Sequence, residues 1–205
     1  MFKGSTNLKE ISFSNNFRYT GEEGMFEGCV NLEHIYGPYV SDDENGNPIY
    51  TNLVFTYIGN NFAKGCGKLK TCLLSSSAKY IGNRAFENCK SLEYFQLPNS
   101  PDAEIYCDVS YAAFQGCENI TFYGAEYGNV STAKYQVKDG ACYEIRTDGA
   151  LTLIHMGKNT SFSSIPADKL VYATAYAMEG RQEQDIIIPS NVVLNGYHMF
   201  NNSVG

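Results

Sequence analysis

The sequence predicts an α/β-type solenoid. Short units stack along one axis, each adding a strand to a parallel β-sheet and a short helical turn, with a β-hairpin inserted between two of them. Three observations predict it. One phrase recurs, beginning at Phe2, Phe26, Phe62, Phe86, Phe114, Met178 and Phe200. The intervals are 24, 36, 24, 28, 64 and 22 residues, so a unit of 22–24 residues runs through the chain with two insertions. In the better copies Phe, Cys, Leu and an apolar residue recur at every third position, and the phrase closes on an alternating stretch ahead of Pro38 and Pro98. A unit this short cannot bury its own apolar face, whereas stacked units align equivalent residues into ladders along a shared core.

Each part of the unit has a local reason. Tyr94-Phe95-Gln96-Leu97 alternates sides as a strand does. Tyr80-Ile81-Gly82-Asn83 reads as a tight turn into a short helical segment, with Asn83 as its cap. Cys29, Cys66, Cys89 and Cys117 occupy one position of four successive copies, and Ser5 fills it in the first. A small, readily buried residue suits a packed ladder, so these thiols are expected to be free and internal. Cys72 takes an apolar strand position; Cys107 and Cys142 fall outside the ladder and are left unplaced.

Two segments interrupt the repeat. Residues 38–57 carry an insertion whose Asn45-Gly46 pair predicts a hairpin. Its Asp43, Asn45 and Gly46 fit three positions of a calcium loop, but Ser41 and Asn52 stand where carboxylates are required, so no metal is expected. Residues 126–160 alternate around two Asp-Gly turns and predict two or three antiparallel strands. The organisation is therefore a repeat block over 1–125, a hairpin spacer over 126–160, and further repeats over 161–205. In the sixth copy Arg181 replaces Cys, and Glu183 or Gln184 replaces Leu, with its strand expected at Ile186–Pro189. The chain starts and stops inside a unit without a visible capping repeat, so a stretch of a longer protein is expected.

Composition narrows the function. With 15 Lys+Arg against 22 Asp+Glu, the net charge is −7, which disfavours nucleic acid and anionic lipid as partners. No apolar run reaches the length of a membrane helix, so no membrane insertion is expected in this segment. Nucleophile-elbow, zinc-protease, phosphate-loop and dinucleotide motifs are missing, so the chain is expected to be non-enzymatic and to need no cofactor.

Residues Ile81 to Pro98 carry Ile-Gly-x-x-Ala-Phe-x-x-Cys-x-x-Leu-x-x-Phe-x-Leu-Pro, with parts repeated at Ile58-Gly59 and Ala112-Ala113-Phe114. This resembles the BspA-like leucine-rich repeat, clearly over 1–125 and more loosely over 161–205. The resemblance implies a right-handed leucine-rich repeat superhelix. It also implies a bacterial, extracellular or cell-surface setting and a role in adhesion to host matrix proteins or other cells. The partner is then a protein or, as a second reading, a glycan; a spacer displaying another domain is the structural alternative. The outward strand positions form the expected binding face: His34, Tyr36, Thr71, Leu73, Tyr94, Gln96 and Phe122.

Overall fold

A computed structural model describes residues 1–14, 23–51, 53, 55–74, 78–97, 108–128, 133–183 and 185–203. The chain winds into a β-solenoid of about seven leucine-rich-repeat-like turns with almost no helix. Pro98, Cys107 and Gln184 lie outside the described residues.

Two parallel ladders run along the solenoid. In the first, β1 (Glu10–Ser12) pairs with β2 (His34–Tyr36) and β2 with β6 (Thr71–Cys72), which aligns Ile11, Ile35 and Cys72. The ladder continues in β8 (Tyr94–Gln96) and β10 (Thr121–Tyr123), where Phe95 aligns with Phe122. The second ladder comprises β5 (Tyr57–Ile58), β7 (Tyr80–Ile81) and β9 (Asp108–Val109). Tyr80-Ile81, expected as a turn, is thus a strand. The coils touch beside it: a Cβ on Gly82 would lie 2.7 Å from the backbone of Gly59 and Asn60, so only glycine fits.

The expected helical segments are turns instead. Among the described residues the helical content is a single 3₁₀ turn at Phe162–Ser164. Left-handed residues explain this, because they recur two places before and after the ladder phenylalanine. Gly24 and Gly28 flank Phe26, Arg84 and Asn88 flank Phe86, and Tyr176 and Gly180 flank Met178, all at positive φ. Such residues break the i→i−4 pattern before a helix turn can close. The freed N–H groups bond instead to the next coil: Phe26 N to Phe62 O (2.7 Å), Gly28 N to Lys64 O (2.8 Å), Asn88 N to Gln115 O (2.8 Å).

Inside, Phe2, Phe26, Phe62, Phe86 and Phe114 form a continuous aromatic spine with centroid separations of 5.3–6.0 Å. The cysteine ladder lies beside it, fully buried and free. Each thiol donates to a carbonyl of the preceding coil: Cys29 to Phe2 (2.9 Å), Cys66 to Phe26 (3.1 Å), Cys89 to Ala63 (3.2 Å) and Cys117 to Phe86 (3.0 Å). The shift to Ala63 reflects the extra residue of the third unit. Burial pushes the Cys66 thiol up to about 12 and holds the Cys89 thiol well above its ordinary value, so both stay protonated donors. Cys142 is also buried.

In the first insertion, β3 (Tyr39–Asp42) and β4 (Pro48–Tyr50) pair antiparallel. The Asp43 carboxylate accepts the Asn45 and Asn47 N–H groups, both at 2.8 Å, and so closes the loop. In the second, β11 (Tyr135–Lys138), β12 (Ala141–Ile145) and β13 (Leu151–His155) run antiparallel, and β13 then pairs in parallel with β14 (Val171–Ala173) and β14 with β15 (Val192–Leu194). The late strand thus lies at Val192–Leu194, not at Ile186–Pro189, where no strand forms among the described residues.

Candidate interaction surface

The first ladder presents its outward side chains as rows. Ile35 and Phe95 fill the core, so their neighbours His34, Tyr36, Tyr94 and Gln96 face away from it. Thr71 and Leu73 flank buried Cys72 and are half-buried. His34 Nδ1 lies 2.9 Å from the Thr71 hydroxyl, tying two coils together. The Gln96 amide donates to the Tyr123 carbonyl at 3.2 Å and does the same for the next pair.

Phe122 does not belong to this face. It is 1% exposed and packs against Phe95, Phe114 and His155. The fifth unit is one residue shorter before its strand: Leu92 precedes buried Phe95 by three places, whereas Ile120 precedes buried Phe122 by two. A one-residue slip exchanges the faces of a strand. Thr121 and Tyr123 therefore take the outward positions, with Tyr123 43% exposed.

The face divides into two aromatic groups. Around the hairpin, the His34 and Tyr36 rings stack at 5.3 Å, Tyr50 stacks on Tyr36 at 4.3 Å, and Tyr39 meets Tyr50 edge-on at 6.2 Å. Tyr36 is thereby half-covered, and this desolvation raises its phenol above its ordinary value. Tyr39, Val40 and Ile49 remain exposed at its rim. Further along, Tyr94 and Tyr123 stack at 4.4 Å across adjacent strands and both stay open to solvent. Reading the sequence missed Tyr50 and Tyr123, the first because only the hairpin's fold-back brings it onto Tyr36. It also missed the second ladder's stacked Tyr57 and Tyr80, 4.7 Å apart, although the repeated Tyr-Ile-Gly at both places signals them.

The solenoid changes its bonding after the fifth coil. Where Gly116 N would donate to a carbonyl of the next coil, it donates to the Glu179 carboxylate. Glu179 is 1% exposed, and burial with nearby Glu118 raises its carboxyl to about 7. Arg181, at the cysteine position, is fully buried. Its guanidinium lies over Phe162 and donates to the carbonyls of Gly157, Lys158 and Thr160 at 2.6–3.1 Å. His155 Nε2 is 3.2 Å from the Cys117 carbonyl, which fixes the neutral Nε2–H tautomer, and burial lowers its pKa to about 4. These groups join the repeat blocks. Among the described residues no helix is long and apolar enough to cross a membrane.

Comparison with known proteins places these features in a family. Residues 1–52 and 56–134 match the BspA type leucine rich repeat region in six copies. No curated protein matches the chain. Among solved structures it is similar to a leucine rich cell surface protein from Faecalibacterium prausnitzii A2-165, at a TM-score of 0.57 and 18% identity over 98% of this chain. It is also similar to a leucine-rich repeat protein from Bacteroides ovatus ATCC 8483, at a TM-score of 0.50 and 20% identity over 97% of this chain. The chain spans 60% and 48% of the length of those two proteins.

Proposed function

Given that the chain belongs to the BspA-type leucine-rich repeat family, we propose that it is a non-enzymatic cell-surface interaction module that grips a protein partner through the outward face of its first ladder. The observation that carries this reading is the stacked, solvent-open pair Tyr94–Tyr123 beside half-buried Gln96, in one line with the His34, Tyr36, Thr71 and Leu73 positions. Exposed tyrosines already held by stacking lose little torsional freedom on contact and bury a large area, which is what an anchor needs. The face carries no excess of positive charge, so shape and aromatic contact direct the encounter. A setting outside the cell agrees with the surface protein to which the fold is similar, and the role proposed there is adhesion to matrix proteins or cells.

The test is solid-phase binding of the intact chain to a panel of purified matrix proteins. We expect saturable binding to at least one, reduced at least tenfold by Tyr94→Ala with Tyr123→Ala while the melting transition stays in place. Binding that survives this pair refutes the choice of face. No saturable binding anywhere on the panel supports a spacer that displays a neighbouring domain.

A further inference from the structure

A second site lies away from the first ladder. Between the turn at 110–112 and the outer side of β13–β15 is a cleft of about 420 Å³. Its floor is the register row Thr152–Tyr172, and its walls include Tyr111 and Tyr197, 51% and 68% exposed. Asn83 and Asn195 bring amides to it. The Thr152 hydroxyl is the informative atom. Thr152 lines the cleft and is 3% exposed, and its buried hydroxyl has no hydrogen-bond partner in the protein. A buried hydroxyl without a partner is costly, and a site that keeps one is completed by something that enters.

The chemistry of the lining selects the occupant. Arg146 is the only charged side chain among the described lining residues. Its charge is already met by Asp148 at 3.1 Å, and its guanidinium lies 4.8 Å from the Tyr172 ring centroid. The cleft is therefore electrically balanced, on a chain of net charge −7, and disfavours an acidic ligand. Open phenol rings offer flat apolar faces; amides, a hydroxyl and a guanidinium edge offer hydrogen bonds. A sugar ring has that pairing, with C–H groups on its faces and hydroxyls around its rim. A second hollow of about 260 Å³ shares Ser110 and Tyr111 with the first and adds Tyr80, Lys134 and Glu144. There too the charges are paired, Lys134 with Glu144 at 3.4 Å.

We propose that this cleft binds a neutral oligosaccharide, with Tyr111 and Tyr197 stacking on sugar rings and Thr152, Asn83 and Asn195 bonding to hydroxyls. The site is independent of the protein-binding face proposed above, so either can fail alone.

The test is a glycan array carrying neutral and acidic oligosaccharides, probed with the intact chain, followed by calorimetric titration of the strongest neutral oligosaccharide. We expect saturable binding to a neutral oligosaccharide, weakened about tenfold or more by Tyr197→Ala and by Thr152→Val. Thr152→Val keeps the shape and removes the unpartnered hydroxyl, so the melting transition should hold or rise while binding falls. Tyr94→Ala, on the other ladder, should leave sugar binding unchanged. The proposal is overturned by failure to bind any neutral oligosaccharide, by selection for acidic glycans, or by binding that survives both cleft substitutions.

Discussion

The five coils up to residue 123 and the junction that follows them solve the same problem in different chemistry. Both must bond one turn of chain to the next through groups buried between them. The regular coils do so with backbone N–H groups and a neutral thiol that reaches one coil back. At the junction the spacer strands intervene, and longer side chains replace them: Glu179 stands in for a carbonyl, Arg181 for a thiol, and His155 reaches across to Cys117. Reach is gained by introducing groups that titrate. The regular block should therefore be indifferent to pH across the physiological range, while the junction should not.

The largest effect should come from the spine. Phe86 is fully buried between Phe62, Phe95 and Phe114, and Phe86→Ala should cost about 3–5 kcal/mol. Urea unfolding will measure it. Residues of the first coils and of the junction form separate apolar clusters, so amide exchange should show the loss concentrated in the repeat block. Equal loosening of β13–β15 would mean that the two regions act as one.

Next comes the charged link. Glu179 carries a folded pKa of about 7 against an ordinary 4.5. Between those values the folded chain holds a proton that the unfolded chain has released, so stability falls as pH rises through the window. Glu179→Gln keeps an acceptor for Gly116 without this cost. It should match the parent near pH 4 and exceed it by about 3 kcal/mol at pH 8. His155 has the opposite sign, with a folded pKa of about 4 against 6.5, so its stabilisation is lost as pH falls through that range. Removing the Glu179 contribution should therefore steepen the rise of stability with pH between about 4 and 6.5. An unchanged pH profile would break the contrast drawn between junction and coils.

The smallest effect belongs to the thiol ladder. Cys89→Ala removes one bond to Ala63 and little volume, and should cost about 1–2 kcal/mol. In the folded chain, Cys29, Cys66, Cys72, Cys89 and Cys117 should all resist a thiol reagent at pH 8 until denaturant is added, because each is buried and free. Rapid labelling of any ladder cysteine would show that the coils open locally.

Much of this was legible in the residues. The spacing of Phe, Cys and Leu announces stacking, and the alternating stretches announce both the inserted hairpin and the spacer strands. The helical expectation failed at residues such as Arg84 and Tyr176, whose left-handed backbone has no signature in residue type as Gly28 does. The outward strand positions were read correctly where unit length was constant and wrongly at Phe122, where one missing residue turned the strand over.

Stacking itself was decided by local periodicity, because an apolar ladder needs only equivalent residues at equal intervals. Which side chains face outward, and what they meet, was decided by three-dimensional closure. Tyr50 reaches Tyr36 only because the hairpin folds back, and Thr152 meets a cleft only because β13 lies between β12 and β14. Those contacts join residues whose separation along the chain carries no period, and a repeat can signal only what recurs.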